Sequence, residues 1–117
     1  MLYTLIHNPR CAKSREAKAF LEAHHIKFET FLYLEEGLTP AFLEALLEKL
    51  ELEPLEVIRT KESVWQSQFA ELELNEDELI LSIVEEPVLL ERPILYNADH
   101  AAIVRSEQAL KSFLNLE

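Results

Sequence analysis

The chain has 117 residues, of which 22 are acidic and 11 are Lys or Arg, so its formal net charge is -11 at pH 7. This length fits one domain with a real hydrophobic core, and residues 1–117 are expected to form that single domain. A surface this negative opposes sequence-independent binding to nucleic acid or to anionic lipid, so we expect neither a nucleic-acid nor a membrane partner.

Targeting signals and membrane spans are not visible in the sequence. The apolar run after Met1 lacks the basic start and the small-residue cleavage site of a signal peptide. No apolar run approaches the ~18 residues that a membrane helix needs. Cys11 is the only cysteine, which excludes an internal disulfide and a cysteine-rich zinc site. We therefore expect a cytoplasmic protein with no bound metal.

The predicted elements begin with a strand. The run from Leu2 to Ile6 is apolar, aromatic and β-branched, as in a strand buried on both faces. After Cys11 the apolar residues recur at helical spacing, which predicts a helix to about His25. Residues 27–34 alternate loosely as a second strand, and Gly37 predicts a turn after it.

The middle of the chain has the pattern of consecutive helices. Capping residues or prolines mark three helix starts: Thr39-Pro40, Pro54, and Asn75 with Glu78. A further helical stretch is expected over roughly 62–69. Strand-like sequence returns at 88–90, 94–96 and 101–104, and Ser106 is expected to cap a last helix. The order predicts an α/β fold with a helical block, about 39–86, inserted between the second and third strands.

Cys11 lies at the predicted strand-to-helix junction, where positive charge is concentrated. Up to Arg15 the chain carries Arg10, Lys13 and Arg15 and no acidic residue. A helix N-terminus offers free N–H groups and a partial positive charge, so it favours a thiolate and forms an anion site. A cysteine kept only for packing needs neither feature. We therefore expect a reactive thiolate of low pKa at Cys11.

Four short segments carry a recognisable pattern: residues 6–16 (IHNPRCAKSRE), 57–62 (VIRTKE), 90–94 (LERPI) and 103–105 (IVR). In sequence, order and spacing they resemble the glutaredoxin-coupled arsenate reductase family, whose relatives include thiol reductases of the same shape and Spx-type transcription regulators. The segments span nearly the whole chain. The resemblance implies a thioredoxin-like (glutaredoxin-like) sheet, about 1–34 and 88–117, with the helical block inserted.

The resemblance also implies roles for individual residues. Cys11 would be the nucleophile, and His7 would assist formation of its thiolate, although on the residues alone a structural histidine is the alternative. Arg59, Arg92 and Arg105 match the arginines that hold the oxyanion, a task that suits the guanidinium fork. The alternative for each is an ordinary pair with a glutamate. The active-site loop would also include Asn8, Arg10, Lys13, Ser14 and the cis proline Pro93.

Two positions depart from common patterns. Ser106 follows Arg105 where the family commonly has proline, and Ser14 stands where a dithiol motif would have a second cysteine. Ser14 is expected at most to cap the helix. A monothiol needs an external reductant. The implied reaction is therefore reduction of arsenate to arsenite through Cys11, with no bound cofactor, with glutathione as co-substrate and with glutaredoxin as protein partner.

Two alternatives remain open on the sequence. A pocket for another anionic or thiol substrate would need the same cations around a thiolate, so the chain could be a glutathione-dependent thiol reductase. The alternative that is not an enzyme is a transcription regulator of the Spx type, which binds RNA polymerase. The missing second cysteine disfavours a dithiol sensor of that type.

Overall fold

The computed structural model describes residues 2–116, which form two compact units. The first unit runs up to Tyr33 and resumes at Arg92, and the second is Leu34–Glu91. The second unit extends a few residues beyond the predicted helical block at either end. The expectation of a single domain over the whole chain stays a prediction. Within residues 2–116, no helix is long and apolar enough to cross a membrane.

The first unit contains a mixed four-stranded sheet. The strands are β1 (Tyr3–Ile6), β2 (Phe28–Phe31), β3 (Ile94–Tyr96) and β4 (Ala101–Ile103). Their order is β2-β1-β3-β4, with β1 parallel to β2 and antiparallel to β3, and with β3 antiparallel to β4. The helices are α1 (Ala12–Ala23), α2 (Tyr33–Glu36), α3 (Pro40–Leu50), α4 (Ser63–Gln68), α5 (Glu76–Glu85) and α6 (Glu107–Leu114). The predicted α/β class is confirmed.

The core of the first unit joins the two central strands to α1 and α6. Its buried residues are Leu5, Ala17, Leu21, Leu95, Val104 and Leu110. Burying a large aliphatic side chain contributes about 1.5–3 kcal/mol, so this cluster holds α1 firmly against the sheet. The N–H of His7 donates to the carbonyl of Phe31 at 3.0 Å and continues the parallel pairing one residue past β1. The end of β1 and the start of α1 are therefore both fixed.

The second unit is helical, and its predicted caps are present. The Thr39 hydroxyl accepts the N–H of Phe42 at 3.1 Å before Pro40 opens α3. Asn75 and Glu78 exchange hydrogen bonds of 2.9 and 3.0 Å at the start of α5. The helix α5 packs against α3 and against two 3₁₀ helices, Pro54–Val57 and Pro87–Leu89.

The strand predicted at 88–90 is wrong. These residues follow Pro87 into a 3₁₀ helix, and the N–H of Leu90 donates to the Pro87 carbonyl at 3.0 Å. Leu90 makes only an isolated bridge with Ile58. Leu89 and Leu90 are fully buried, which explains why this segment is apolar. In so short a segment, the pattern of apolar residues does not distinguish a buried 3₁₀ helix from a buried strand.

The segment after β2 also differs in part from the prediction. Residues Tyr33–Glu36 form the short helix α2, where a second strand was expected to continue to residue 34. Gly37 directly follows α2, and its φ of 85° lies in the left-handed region that glycine adopts without strain.

Candidate active site

The loop between β1 and α1 carries the only cysteine and is fixed by hydrogen bonds. Cys11 is the N-cap of α1, with extended backbone angles, so the predicted strand-to-helix junction is confirmed. Asn8 accepts the N–H of Arg10 at its side-chain oxygen and the N–H of Cys11 at its carbonyl, each at 3.0 Å. The guanidinium of Arg15 donates to the Pro9 carbonyl at 3.0 Å. The chain therefore presents Cys11 in one defined position.

The surroundings of Cys11 favour its charged form. Burial acts to raise the pKa of the thiol, but three donors outweigh it: the N–H of Ser14, the guanidinium of Arg92 and the N–H of Lys13. The pKa therefore lies below its ordinary value. Cys11 makes no side-chain capping hydrogen bond, so the N–H groups of the first turn act on the thiolate mainly through their partial positive charge. Cys11 is also partly exposed, as a nucleophile requires.

Arg92 and Arg105 lie together because β3 and β4 are antiparallel neighbours. Arg92 precedes β3 through the cis Arg92–Pro93 bond that the resemblance implies, and Arg105 follows β4. The N–H of Val104 donates to the Pro93 carbonyl at 2.9 Å. The guanidinium of Arg105 donates to the Arg92 carbonyl at 2.7 Å. Arg105 is therefore anchored to the backbone of Arg92, whose guanidinium in turn lowers the pKa of the Cys11 thiol.

His7 is buried, and its ring contacts Ser14. The ring atom Nδ1 lies 2.7 Å from the Ser14 hydroxyl oxygen, which also accepts the N–H of Asn8 at 3.0 Å. Burial, followed by the positive charges of Lys18 and Arg15, lowers the pKa of His7, so the ring is neutral at pH 7. A neutral ring adds no positive field at Cys11, which leaves a hydrogen bond as the way in which His7 could assist the thiolate. The expectation that Ser14 does no more than cap the helix is wrong.

Arg59 belongs to the second unit, where it is held by carboxylates. Its guanidinium lies 3.3 Å from Glu91 and 3.5 Å from Glu62. Its N–H donates to the Leu89 carbonyl at 2.7 Å. The ordinary alternative for an arginine, pairing with glutamate, is therefore realised at Arg59. Its membership of an anion clamp with Arg92 and Arg105 stays a prediction. The i,i+3 spacing of Glu62 was a usable sequence signal for this pairing.

Arg10 and Lys13 play lesser parts in the geometry. Arg10 donates its backbone N–H to the side chain of Asn8, and the ammonium of Lys13 lies 3.5 Å from the Glu16 carboxylate on an exposed face. Lys13 and Arg105 both line a cavity of about 540 Å³ beside α1 and the start of α6, whose other lining residues are mostly apolar but include Glu16 and Glu107. This volume is in the range of small-molecule sites. Among residues 2–116, no group of His, Cys, Asp and Glu is placed to hold a metal ion.

Comparison with known proteins relates this site to a family. The family model described as ArsC family matches residues 6–113. The chain is 34% identical over 116 residues to the arsenate reductase of Haemophilus influenzae, a match that covers 97% of this chain and 100% of that protein. It is 31% identical over 111 residues to the global transcriptional regulator Spx 1 of Lactococcus lactis, covering 94% of this chain and 87% of that protein.

A solved structure gives the same picture for the fold. The arsenate reductase from Vibrio cholerae is similar with a TM-score of 0.88 and 34% identity, over 95% of this chain and 97% of that one. The thioredoxin-like fold expected from the sequence is confirmed by this likeness and by the order of the strands.

Proposed function

Because the chain belongs to the ArsC family, we propose that it reduces arsenate to arsenite through the Cys11 thiolate, with glutathione and glutaredoxin as reductants. The observation that carries the proposal is the place of Cys11 at the N-cap of α1, where N–H groups of the first turn and the Arg92 guanidinium hold the pKa of its thiol below the ordinary value. A nucleophile that attacks an oxyanion needs a fixed cation beside it, because the reactants would otherwise repel each other. Similarity to two proteins named arsenate reductase supports the choice of substrate.

The proposed reaction balances over two thiols. The Cys11 thiolate attacks arsenic(V) and displaces one oxygen as water, which forms a sulfur–arsenic bond. The thiolate of glutathione then attacks the Cys11 sulfur. A disulfide forms, the sulfur–arsenic bond breaks with its electron pair passing to arsenic, and arsenic leaves as arsenite. Glutaredoxin finally attacks the glutathione sulfur of the mixed disulfide and releases the Cys11 thiolate.

The residues near Cys11 have distinct tasks in this scheme. Arg92 would stabilise the thiolate before the attack and the oxyanion after it. Arg105 donates to the backbone carbonyl of Arg92 and so holds it in place, and it would offer a second guanidinium to the oxyanion. Arg59 would exchange its carboxylate partners for the substrate. Glutathione would occupy the cavity lined by Lys13 and Arg105, where one of its carboxylates would compete with Glu16 for Lys13.

The test is turnover of purified protein with arsenate, glutathione, glutaredoxin, glutathione reductase and NADPH. Arsenite is quantified directly, and each reductant is omitted in turn. We expect arsenite only when both glutathione and glutaredoxin are present, and none from Cys11→Ser. Absence of arsenite from the complete mixture, with a folded protein whose Cys11 is reactive, would overturn the proposal. Reduction of a glutathione mixed disulfide in that case would favour the alternative of a thiol reductase.

A regulatory function is the second candidate, because Spx 1 is similar over most of both chains. Ser14 argues against it, since a single thiol cannot form the internal disulfide of a dithiol switch. Affinity purification of the tagged protein with RNA polymerase distinguishes the two. We expect no stoichiometric polymerase in the eluate, and its presence would favour the regulator.

A further inference from the structure

Ser14 is a fully buried polar residue in the first turn of α1. Its side chain is directed at the loop and makes two contacts there, with Nδ1 of His7 at 2.7 Å and with the N–H of Asn8 at 3.0 Å. These partners are the first two residues after β1. One hydroxyl therefore closes the loop that carries Cys11, joining the end of the strand to the start of the helix.

The protons of this group can be assigned by counting. A serine hydroxyl has one proton to donate and two lone pairs to accept with. The N–H of Asn8 occupies one lone pair. In the described part of the chain, the other hydrogen-bond partner of the hydroxyl is His7. If Nδ1 of His7 carried a proton and donated it, the hydroxyl proton of Ser14 would be buried without an acceptor, which is costly.

If the Ser14 hydroxyl is instead the donor, no buried proton is left without an acceptor. When the Ser14 hydroxyl donates to Nδ1, its proton and one of its lone pairs are both used. The ring then needs a lone pair on Nδ1, which only a neutral imidazole has. The lowered pKa of His7 agrees with a neutral ring.

We propose that Ser14 is a positioning residue that donates its hydroxyl proton to Nδ1 of His7, so that the ring of His7 carries its own proton on Nε2. Nδ1 is then occupied and does not act as a base. Any assistance that His7 gives comes from Nε2 as an N–H donor. Ser14 thereby acts at both ends of the loop, because its backbone N–H stabilises the Cys11 thiolate while its hydroxyl orients His7.

The first test uses the wild-type chain and needs no substrate. Nitrogen-15 chemical shifts of the imidazole distinguish the two neutral tautomers, and His7 is assigned by the loss of its signals in His7→Gln. We expect a proton on Nε2. A proton on Nδ1 would overturn the proposal.

The second test compares variants. In Ser14→Ala we expect His7 to lose its fixed tautomer. We also expect Cys11 to react about fivefold more slowly with iodoacetamide at a fixed pH, because a loop that is no longer closed by the hydroxyl aligns the N–H donors of the first turn less well on the sulfur. Ser14→Thr keeps the hydroxyl and should restore both. The matched control is Ser82→Ala, which removes another buried hydroxyl, one that donates to Leu79 at 2.6 Å in α5, and should change neither.

A folded Ser14→Ala protein with the wild-type tautomer and the wild-type alkylation rate would contradict the proposal. If that variant does not fold, the tautomer in the wild-type chain still decides. The relevance of Ser14 to turnover rests on the proposed function, but neither readout involves arsenate. A chain that passes both tests yet forms no arsenite would refute the proposed function and leave the role of Ser14 intact.

Discussion

Replacing Arg92 with alanine should raise the pKa of the Cys11 thiol. Arg92 acts on the sulfur both by a hydrogen bond and by its charge. A hydrogen bond to a charged group contributes about 1.5–3 kcal/mol. Because one pKa unit corresponds to about 1.4 kcal/mol, its loss raises the pKa by about one to two units. The lower end is expected, since Cys11 is partly exposed and water replaces part of the interaction.

The assay is the rate of alkylation by iodoacetamide as a function of pH. Below both pKa values, each unit of increase slows the reaction about tenfold, because only the thiolate reacts. Arg92→Lys should give an intermediate value, since it keeps the charge and loses the planar fork. Arg10→Ala is the control: Arg10 adjoins Cys11 in sequence but is not among the groups that shift its pKa. A folded Arg92→Ala protein with an unchanged pKa would refute the reasoning.

Three further predictions concern the cations and the thiolate. Glu91→Gln removes a carboxylate that competes with arsenate for the Arg59 guanidinium, so titration calorimetry should detect tighter arsenate binding. An unchanged affinity would show that Arg59 is a structural residue. Arg105→Ala should lower the free energy of unfolding, measured in urea, by about 1 kcal/mol, because the Arg92 carbonyl loses its hydrogen-bond donor. A loss of arsenate affinity without this destabilisation would argue against the hydrogen bond between Arg105 and the Arg92 carbonyl. Because folding lowers the pKa of Cys11, its thiolate contributes stability that is fully present above the unfolded-state value of ~8.5 and is lost as pH falls through the folded-state pKa. The stability of wild type relative to Cys11→Ala should therefore increase with pH across that window, and a constant difference between the two would contradict the shift.

Local chemistry explains why much of the fold could be predicted. Thr39 and Asn75 cap helices through atoms three residues away, so the sequence contains the whole interaction. The position of Cys11 at a helix start followed from the same kind of local pattern. The apolar run at 88–90 misled because burial, not strand pairing, accounts for Leu89 and Leu90.

Contacts between distant residues explain what the sequence left open. Ser14 could be expected to serve the helix, but its contact with His7 depends on how the loop folds back from β1. The partner of Arg59 at Glu91 is 32 residues away, and an acidic chain offers many equivalent glutamates. Only the folded second unit, in which the Arg59 N–H meets the Leu89 carbonyl, selects this one.

The central claim is that Cys11 reduces arsenate and is then released by an external thiol. The most direct measurement is a single turnover with arsenate and glutathione but without glutaredoxin, followed by intact mass and by quantification of arsenite. We expect one glutathione on Cys11 for each arsenite formed, and further arsenite only after glutaredoxin is added. Sustained arsenite formation with thioredoxin as the sole reductant, or arsenite without an adduct on Cys11, would contradict it.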